Sequence, residues 1–162
     1  MIVIGIDPGL TGCMAGYDPD RDFVTAVVDF PVRERVYGTG KEVDWTLFKN
    51  YLFEMIPEDM NVLIALENVG VMPAQGIVSA YSFGQTVGGI RAVIETMGLD
   101  YVLIHPASWK KHFGLTGSQK HDIITMLKNV YAETVPMLTL KKHHNRADAI
   151  AIAIAGGKHV RS

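Results

Sequence analysis

Three acidic residues of the sequence, Asp7, Glu67 and Asp148, are candidates for a chemically active site. Asp7 and Glu67 each end an apolar run, IVIGID and NVLIALE, and such runs are typical of strands buried in the middle of a sheet. Asp148 lies in HNRADAIAIA, whose small apolar residues predict a helix packed flat on that sheet. A buried carboxylate is costly without a partner, so the three acids favour a divalent-cation site.

The chemistry typical of such a site is phosphodiester hydrolysis. Carboxylate oxygens suit Mg²⁺ or Mn²⁺, and acids around two metals about 4 Å apart activate a water and stabilise the leaving oxygen. His144 and Asn145 lie four and three residues before Asp148, on one helix face. His144 could be a ligand or a general base, and Asn145 could bind through its carbonyl oxygen. His143, His144 and Asp148 also resemble part of a zinc site, but no fourth His or Cys is placed.

Each acid also has a purely structural interpretation. Asp7 could cap the turn that follows it. Asp148 could be an acid favoured at a helix start by the helix dipole. Glu67 could form an ion pair with Arg91 or Arg146.

The order of elements predicts how the acids come together. We expect strands at 2–7, 12–17, 23–30, 61–67 and 101–104, and helices at 45–56, 77–97, 106–113, 119–131 and 145–155. Residues 31–42 are expected to be a mobile polar connection, and Gly156-Gly157 to end the last helix, leaving 158–162 as a frayed tail. The first three strands form an antiparallel meander, and right-handed crossovers bring the others in parallel. This is an α/β chain with a five-stranded mixed sheet flanked by helices.

Composition narrows the class of protein. The 162 residues, 48% hydrophobic and 20% charged, fit one globular domain spanning 1–162. A single cysteine, Cys13, excludes an internal disulfide. No signal-like start and no apolar run of about 20 residues is present, so we expect a cytoplasmic protein without a membrane partner.

Charge is unevenly distributed along the chain. Residues 1–70 carry 12 acidic and 5 basic side chains, whereas residues 71–162 carry 5 acidic and 10 basic ones. This asymmetry permits a basic face for a polyanion, or scattered solvated charge.

Four motifs resemble the RuvC family of Holliday junction resolvases, specifically the phage-type RuvC-like endonucleases. They are IGIDPG (4–9), ALE (65–67), PASWKK (106–111) with Gly114, Gly117 and Lys120 after it, and HNRADA (144–149). The resemblance implies an RNase H-like fold and a Mg²⁺-dependent nuclease, with Mn²⁺ as a substitute. Asp7, Glu67 and Asp148 match three of the four acidic positions of the family. The fourth, usually Asp or His, is Asn145 here, with His144 beside it.

The resemblance also implies DNA contacts from the segment after the fifth strand. Candidate phosphate contacts are Lys110, Lys111 and Lys120, with Lys141, Lys142 and Arg146 extending the surface. A solvated basic face is the alternative. Cellular members carry an aromatic wedge after the strand that ends in Glu, where this chain offers Met72 as an apolar residue that could unstack a base step.

The implied function is junction resolution by a homodimer, with branched DNA as the partner, in a bacterial cell or a phage-infected host. The family places its long helix in the dimer interface. Gly84 and Gly88 in that helix would allow close approach to a second subunit, although the sheet is the simpler neighbour for them.

Three other functions share some of these features. An RNase H-like nuclease acting on RNA–DNA hybrids or flaps would use the same acids. An actin-like or sugar-kinase phosphate-binding protein has a similar loop after its first strand but needs two such domains. A non-catalytic binding module could retain the fold.

Overall fold

The computed structural model describes residues 1–70, 75–115 and 121–161. Its elements are β1 (Ile2–Asp7), β2 (Cys13–Asp18), β3 (Phe23–Asp29), β4 (Val32–Glu34), β5 (Lys41–Val43), α1 (Trp45–Glu54), β6 (Val62–Glu67), α2 (Ile77–Thr96), β7 (Tyr101–Ile104), α3 (Pro106–His112), α4 (His121–Val130), a 3₁₀ turn (Ala132–Thr134) and α5 (His144–Arg161). No helix in these ranges is both long enough and apolar enough to cross a membrane.

The main sheet has five strands in the order β3-β2-β1-β6-β7. β1 pairs with β2 antiparallel and with β6 in parallel, and β7 continues the parallel half. The predicted mixed five-stranded sheet is therefore confirmed, with the first strand at its centre.

Helices cover both faces of the sheet because β1 is apolar on both sides. Ile4 and Ile6 belong to a core shared with Phe48 of α1 and Ile90 of α2. Val3 belongs to the opposite core, which is shared with α5. This three-layer arrangement buries β1 completely up to Ile6.

α5 lies unusually close to the sheet. A Cβ atom on Gly5 would lie 2.8 Å from the Cα atom of Ala153, and one on Gly156 would lie 2.5 Å from the Cβ atom of Ala65. The predicted helix end at Gly156-Gly157 is wrong, because α5 continues to Arg161. The two glycines are places where the helix meets its neighbours rather than a stop signal, and most of the expected frayed tail is helical.

The segment 31–42 also differs from the prediction. Instead of a plain connection, it contains most of a two-stranded hairpin, β4–β5, which pairs Val32 with Val43. Arg35 donates from Nη2 to the Ser82 hydroxyl of α2 at 3.3 Å. The hairpin is therefore attached to the helix layer.

Glycines of α2 have different surroundings from those expected. A Cβ atom on Gly84 or Gly88 would meet nothing within 4 Å, so these residues do not pack on the sheet. Gly89 instead lies against the indole of Trp45 in α1. Asp44 caps α1, accepting from the backbone N–H groups of Thr46 and Leu47 at 3.1 Å.

A small polar cluster joins the β2–β3 turn to the segment after α4. The hydroxyls of Tyr17 and Tyr131 donate to Oδ1 of Asp22 at 2.6 and 3.0 Å. The Val24 backbone N–H donates to Glu133 at 2.8 Å. Burial and the bond to Asp22 raise the pKa of Tyr131 to about 12.

Candidate active site

Asp7 and Glu67 end adjacent parallel strands at the same edge of the sheet. Ile6 pairs with Leu66, so the next residues in register are the two acids, on strands about 4.8 Å apart. Side chains alternate along a strand. The acids therefore point to the same face as Val3 and Ala65, which is the face covered by α5.

The first turns of α5 lie over this acidic edge. Gly5 contacts α5 at Ala149 and Ala153, and Val3 contacts it at Gly156, so helix and strand run in opposite directions. Moving two strand residues from Gly5 to Asp7 covers about 7 Å, or four to five helix residues. That step leads to the turn containing Asn145 and Asp148, where both are partly exposed.

Asn145 anchors this turn to the loop after β1. Its Nδ2 atom donates to the backbone carbonyl and, at 3.0 Å, to the hydroxyl of Thr11. Asn145 also lies one turn before Ala149, on the stripe of α5 that faces the sheet. The amide therefore holds the start of α5 against the loop that follows Asp7. His144, at the first position of α5, is also partly buried.

Glu67 has a hydrogen-bond partner that the sequence analysis did not consider. The indole Nε1 of Trp109 in α3 donates to its Oε1 at 2.8 Å. Burial raises the pKa of Glu67, while the Trp109 bond and the charges of Lys110 and His105 act to lower it. This carboxylate therefore lies in a partly desolvated setting with a fixed donor.

Arg146 makes a different ion pair from the one considered for Glu67. Its Nε donates to Oδ1 of Asp29 at 2.8 Å, its Nη2 contacts Oδ2 of the same carboxylate, and its Nη1 donates to the Met137 carbonyl at 3.0 Å. This bidentate pair lowers the pKa of Asp29. A DNA contact by Arg146 would have to share the guanidinium with these partners.

The acids are neighbours in the fold without forming a closed ligand cage. Across 1–70, 75–115 and 121–161, no three His, Cys, Asp or Glu side chains are grouped closely enough to hold a metal ion. The structure thus brings Asp7, Glu67 and the Asn145–Asp148 turn to one edge of the sheet. In the described ranges, however, their side chains are not grouped closely enough to hold Mg²⁺ or Zn²⁺.

Basic side chains flank this edge on two sides. Lys110 and Lys111 are exposed on α3, and Lys141 and Lys142 are exposed just before α5. A cleft of about 620 Å³ is lined in part by Thr11, Lys142 and Asn145. Two further predicted DNA contacts, Met72 and Lys120, lie outside the described residues.

The sequence did not identify Trp109 and Thr11 as residues of the candidate site, for two different reasons. Trp109 was visible within PASWKK, and a tryptophan beside two lysines was the available signal. Thr11 gave no signal, because its role depends on α5 arriving from the other end of the chain.

Comparisons with known proteins extend these observations. No family model matches the sequence. The chain is 28% identical over 98% of its length to crossover junction endodeoxyribonuclease RuvC of Synechocystis sp., covering 92% of that protein. It is 29% identical over 84 residues to chloroplastic Holliday junction resolvase MOC1 of Chlamydomonas reinhardtii, covering 51% of this chain and 10% of that protein.

Solved structures show the same fold. RuvC of T. thermophilus, in a complex with Holliday junction substrate, matches with a TM-score of 0.62 and 18% identity, covering 99% of this chain and 95% of that one. The fowlpox virus Holliday junction resolvase matches with a TM-score of 0.57 and 14% identity, covering 99% of both chains. The fold is thus RNase H-like, and over nearly its whole length the sequence is similar to that of the crossover junction endodeoxyribonuclease RuvC of Synechocystis sp..

Proposed function

We propose that this protein is a divalent-metal-dependent endonuclease that resolves four-way or branched DNA junctions by phosphodiester hydrolysis. The observation that carries the proposal is the β1–β6 register, which sets Asp7 beside Glu67 on the face covered by the start of α5. The match to a crossover junction endodeoxyribonuclease over 98% of the chain supports junction DNA as the substrate.

The donor set fits Mg²⁺, with Mn²⁺ as a substitute. Asp7, Glu67 and Asp148 would supply carboxylate oxygens and Asn145 an amide oxygen, and hard cations of this kind prefer oxygen ligands. Carboxylates brought together repel one another, so we expect their side chains to adjust when a cation is bound. When bound, the cation would supply Lewis-acid activation of water and stabilisation of phosphate charge.

The remaining residues would bind and orient DNA. Lys110 and Lys111 lie on the helix that carries Trp109, so a phosphate held by them would lie near Glu67. Lys141, Lys142 and Lys120 would extend this contact, with Arg146 shared between DNA and Asp29. His144, beside Asn145, is a candidate to accept a proton from water. Met72 is the candidate wedge.

A homodimer would supply two such sites for two symmetric cuts, leaving 5′ phosphates and 3′ hydroxyls. The start of α2 exposes large apolar side chains, with Ile77 88% and Tyr81 67% exposed. The open surroundings of Gly84 and Gly88 leave room for a close helix neighbour. We propose this face of α2 as the dimer contact.

The test compares three labelled substrates with Mg²⁺: a synthetic four-way junction, a linear duplex of the same arm sequence, and an RNA–DNA hybrid. We expect faster cutting of the junction, no cutting with EDTA, and loss of cutting in Asp7→Asn with junction binding retained. Equal rates on duplex and junction would refute junction selectivity, and preference for the hybrid would support the RNase H alternative. Cutting that survives Asp7→Asn would refute the assignment of the site.

A further inference from the structure

Trp109 connects two parts of the site that the sequence presents separately. The residue is only 2% exposed, and it belongs to the core shared with α5. Its one polar atom, Nε1, donates to Oε1 of Glu67 at 2.8 Å. Because a buried indole N–H needs an acceptor, this bond fixes the ring and the carboxylate relative to each other.

The bond limits what Glu67 can do. One of its oxygens is engaged by a rigid donor, so rotation of the carboxylate would break a partly buried hydrogen bond. Hydrogen bonds to a charged acceptor are stronger than those between neutral groups. Donors of this kind orient ligands at metal sites, and their loss there typically costs about 10–100-fold in metal affinity or activity.

The same ring also contacts a candidate DNA-binding residue. The Nζ atom of Lys110 lies 5.2 Å from the centroid of the Trp109 ring, within the range of a cation–π interaction. One indole thus contacts a carboxylate through its N–H edge and a lysine through its face. A phosphate that attracts Lys110 would therefore change the contact of this lysine with the indole ring that is hydrogen-bonded to Glu67.

We propose that Trp109 is a positioning residue: its indole N–H orients Glu67 for metal binding, and its contact with Lys110 couples that orientation to phosphate binding. The inference rests on the proposed function in taking Glu67 as a metal ligand. It assigns a role to Trp109 beyond its packing in the core.

The chain offers a direct spectroscopic readout, because it has only two tryptophans. The ¹H–¹⁵N spectrum of the protein therefore contains two indole signals, which Trp45→Phe and Trp109→Phe assign. In Glu67→Gln a neutral acceptor replaces a charged one, so the Trp109 indole proton should move upfield. Titration with MgCl₂ in the absence of DNA should also move it, while the Trp45 signal, from α1 on the other side of the sheet, stays in place.

The kinetic readout separates positioning from packing. Trp109→Phe keeps a large aromatic ring and removes the N–H. We expect the Mg²⁺ concentration for half-maximal junction cutting to rise about 10–100-fold, with little change in KM for the junction. Trp45→Phe is the matched control and should change neither value.

The outcomes distinguish this inference from the proposed function. If the Trp109 signal fails to respond to either one of the two changes, Glu67→Gln or MgCl₂, the positioning role is refuted. This holds even if the protein cuts junctions. If the signal responds to both but junctions are not cut, the positioning role stands and the proposed function fails. Should Trp109→Phe not fold, the Glu67→Gln spectrum and the MgCl₂ titration still decide, since both retain Trp109.

Discussion

Gly5 in β1 and Ala149 in α5 are in direct contact, because a Cβ atom on Gly5 would overlap the Ala149 carbonyl oxygen. This contact fixes the height of α5 above the sheet. It therefore also sets how closely the turn with Asn145 and Asp148 approaches Asp7.

Gly5→Ala should push α5 away from the sheet. The obstacle is helix backbone, which cannot rotate aside, so we expect a loss of at least about 1–3 kcal/mol in the free energy of unfolding. Activity should fall further than stability explains, because the displaced turn carries candidate site residues. Urea denaturation measures the first effect, and junction cutting at a temperature where the variant is folded measures the second.

Gly70→Ala is the control, since a Cβ atom there meets nothing within 4 Å. It should stay within about 0.5 kcal/mol of the wild type. If Gly5→Ala is as stable as the wild type, the close approach of α5 to the sheet is not required for the stability of the fold.

Asp29→Asn should weaken the fold in a pH-dependent way. Arg146 lowers the pKa of Asp29 in the folded protein, so the ion pair stabilises the fold above the usual aspartate pKa of about 3.9. That contribution is lost as the pH falls through the lowered folded-state value. Because the Asp29 side chain is 57% exposed, we expect about 1 kcal/mol or less.

Urea denaturation of wild type and Asp29→Asn at pH 7, 5 and 3 measures this difference. The difference in the free energy of unfolding between the two proteins should be constant between pH 7 and pH 5 and smaller at pH 3. A difference that grows on acidification would contradict the assigned ion pair.

Lys110→Ala and Lys111→Ala should each reduce the salt dependence of junction binding. A phosphate contact contributes a slope of about 0.9 in log K against log salt on B-form DNA, so each variant should lose about one unit. Fluorescence anisotropy in the Asp7→Asn background measures the slope without cutting. Lys49→Ala, exposed on α1 across the sheet, is the control, and an equal loss there would indicate unspecific charge attraction.

Tyr131→Phe should destabilise the protein by about 1 kcal/mol at neutral pH, by removing the hydrogen bond to Asp22. The raised pKa of Tyr131, about 12, means that the folded state retains its proton more tightly than the unfolded chain, in which tyrosine titrates near 10. The stability that this provides is present below about pH 10 and declines as the pH rises towards 12. Thermal unfolding of both proteins from pH 8 to 11 checks whether the stability difference between wild type and Tyr131→Phe becomes smaller as the pH rises. A difference that stays constant over this range would contradict the prediction.

The sequence predicted where the residues of the candidate site lie in the fold wherever that depends on local pattern. Asp7 and Glu67 stand at the ends of strands that had to be buried, and parallel pairing of those strands put them side by side. Asp44 is a residue type favoured at the N-terminus of a helix, and it directly precedes the helix expected at 45–56. These features are visible because burial and capping leave short-range signals.

Other parts depend on contacts that no local pattern contains. Gly156-Gly157 resembles a helix stop, and only the sheet beneath α5 makes these glycines a packing surface. The bond between Trp109 and Glu67 joins residues 42 positions apart, and α3 must dock before it exists. The hairpin within 31–42 was hidden by its polar composition.

The contact between Asn145 and Thr11 has a consequence for the order of synthesis. The two residues are 134 positions apart, so a growing chain exposes the Asp7 edge long before α5 is available to cover it. The carboxylates of β1 and β6 come under a helix only when the described fold is almost fully translated. A nascent chain therefore holds the proposed site in an incomplete form, and the proposed DNA cutting would begin only after α5 has packed on the sheet.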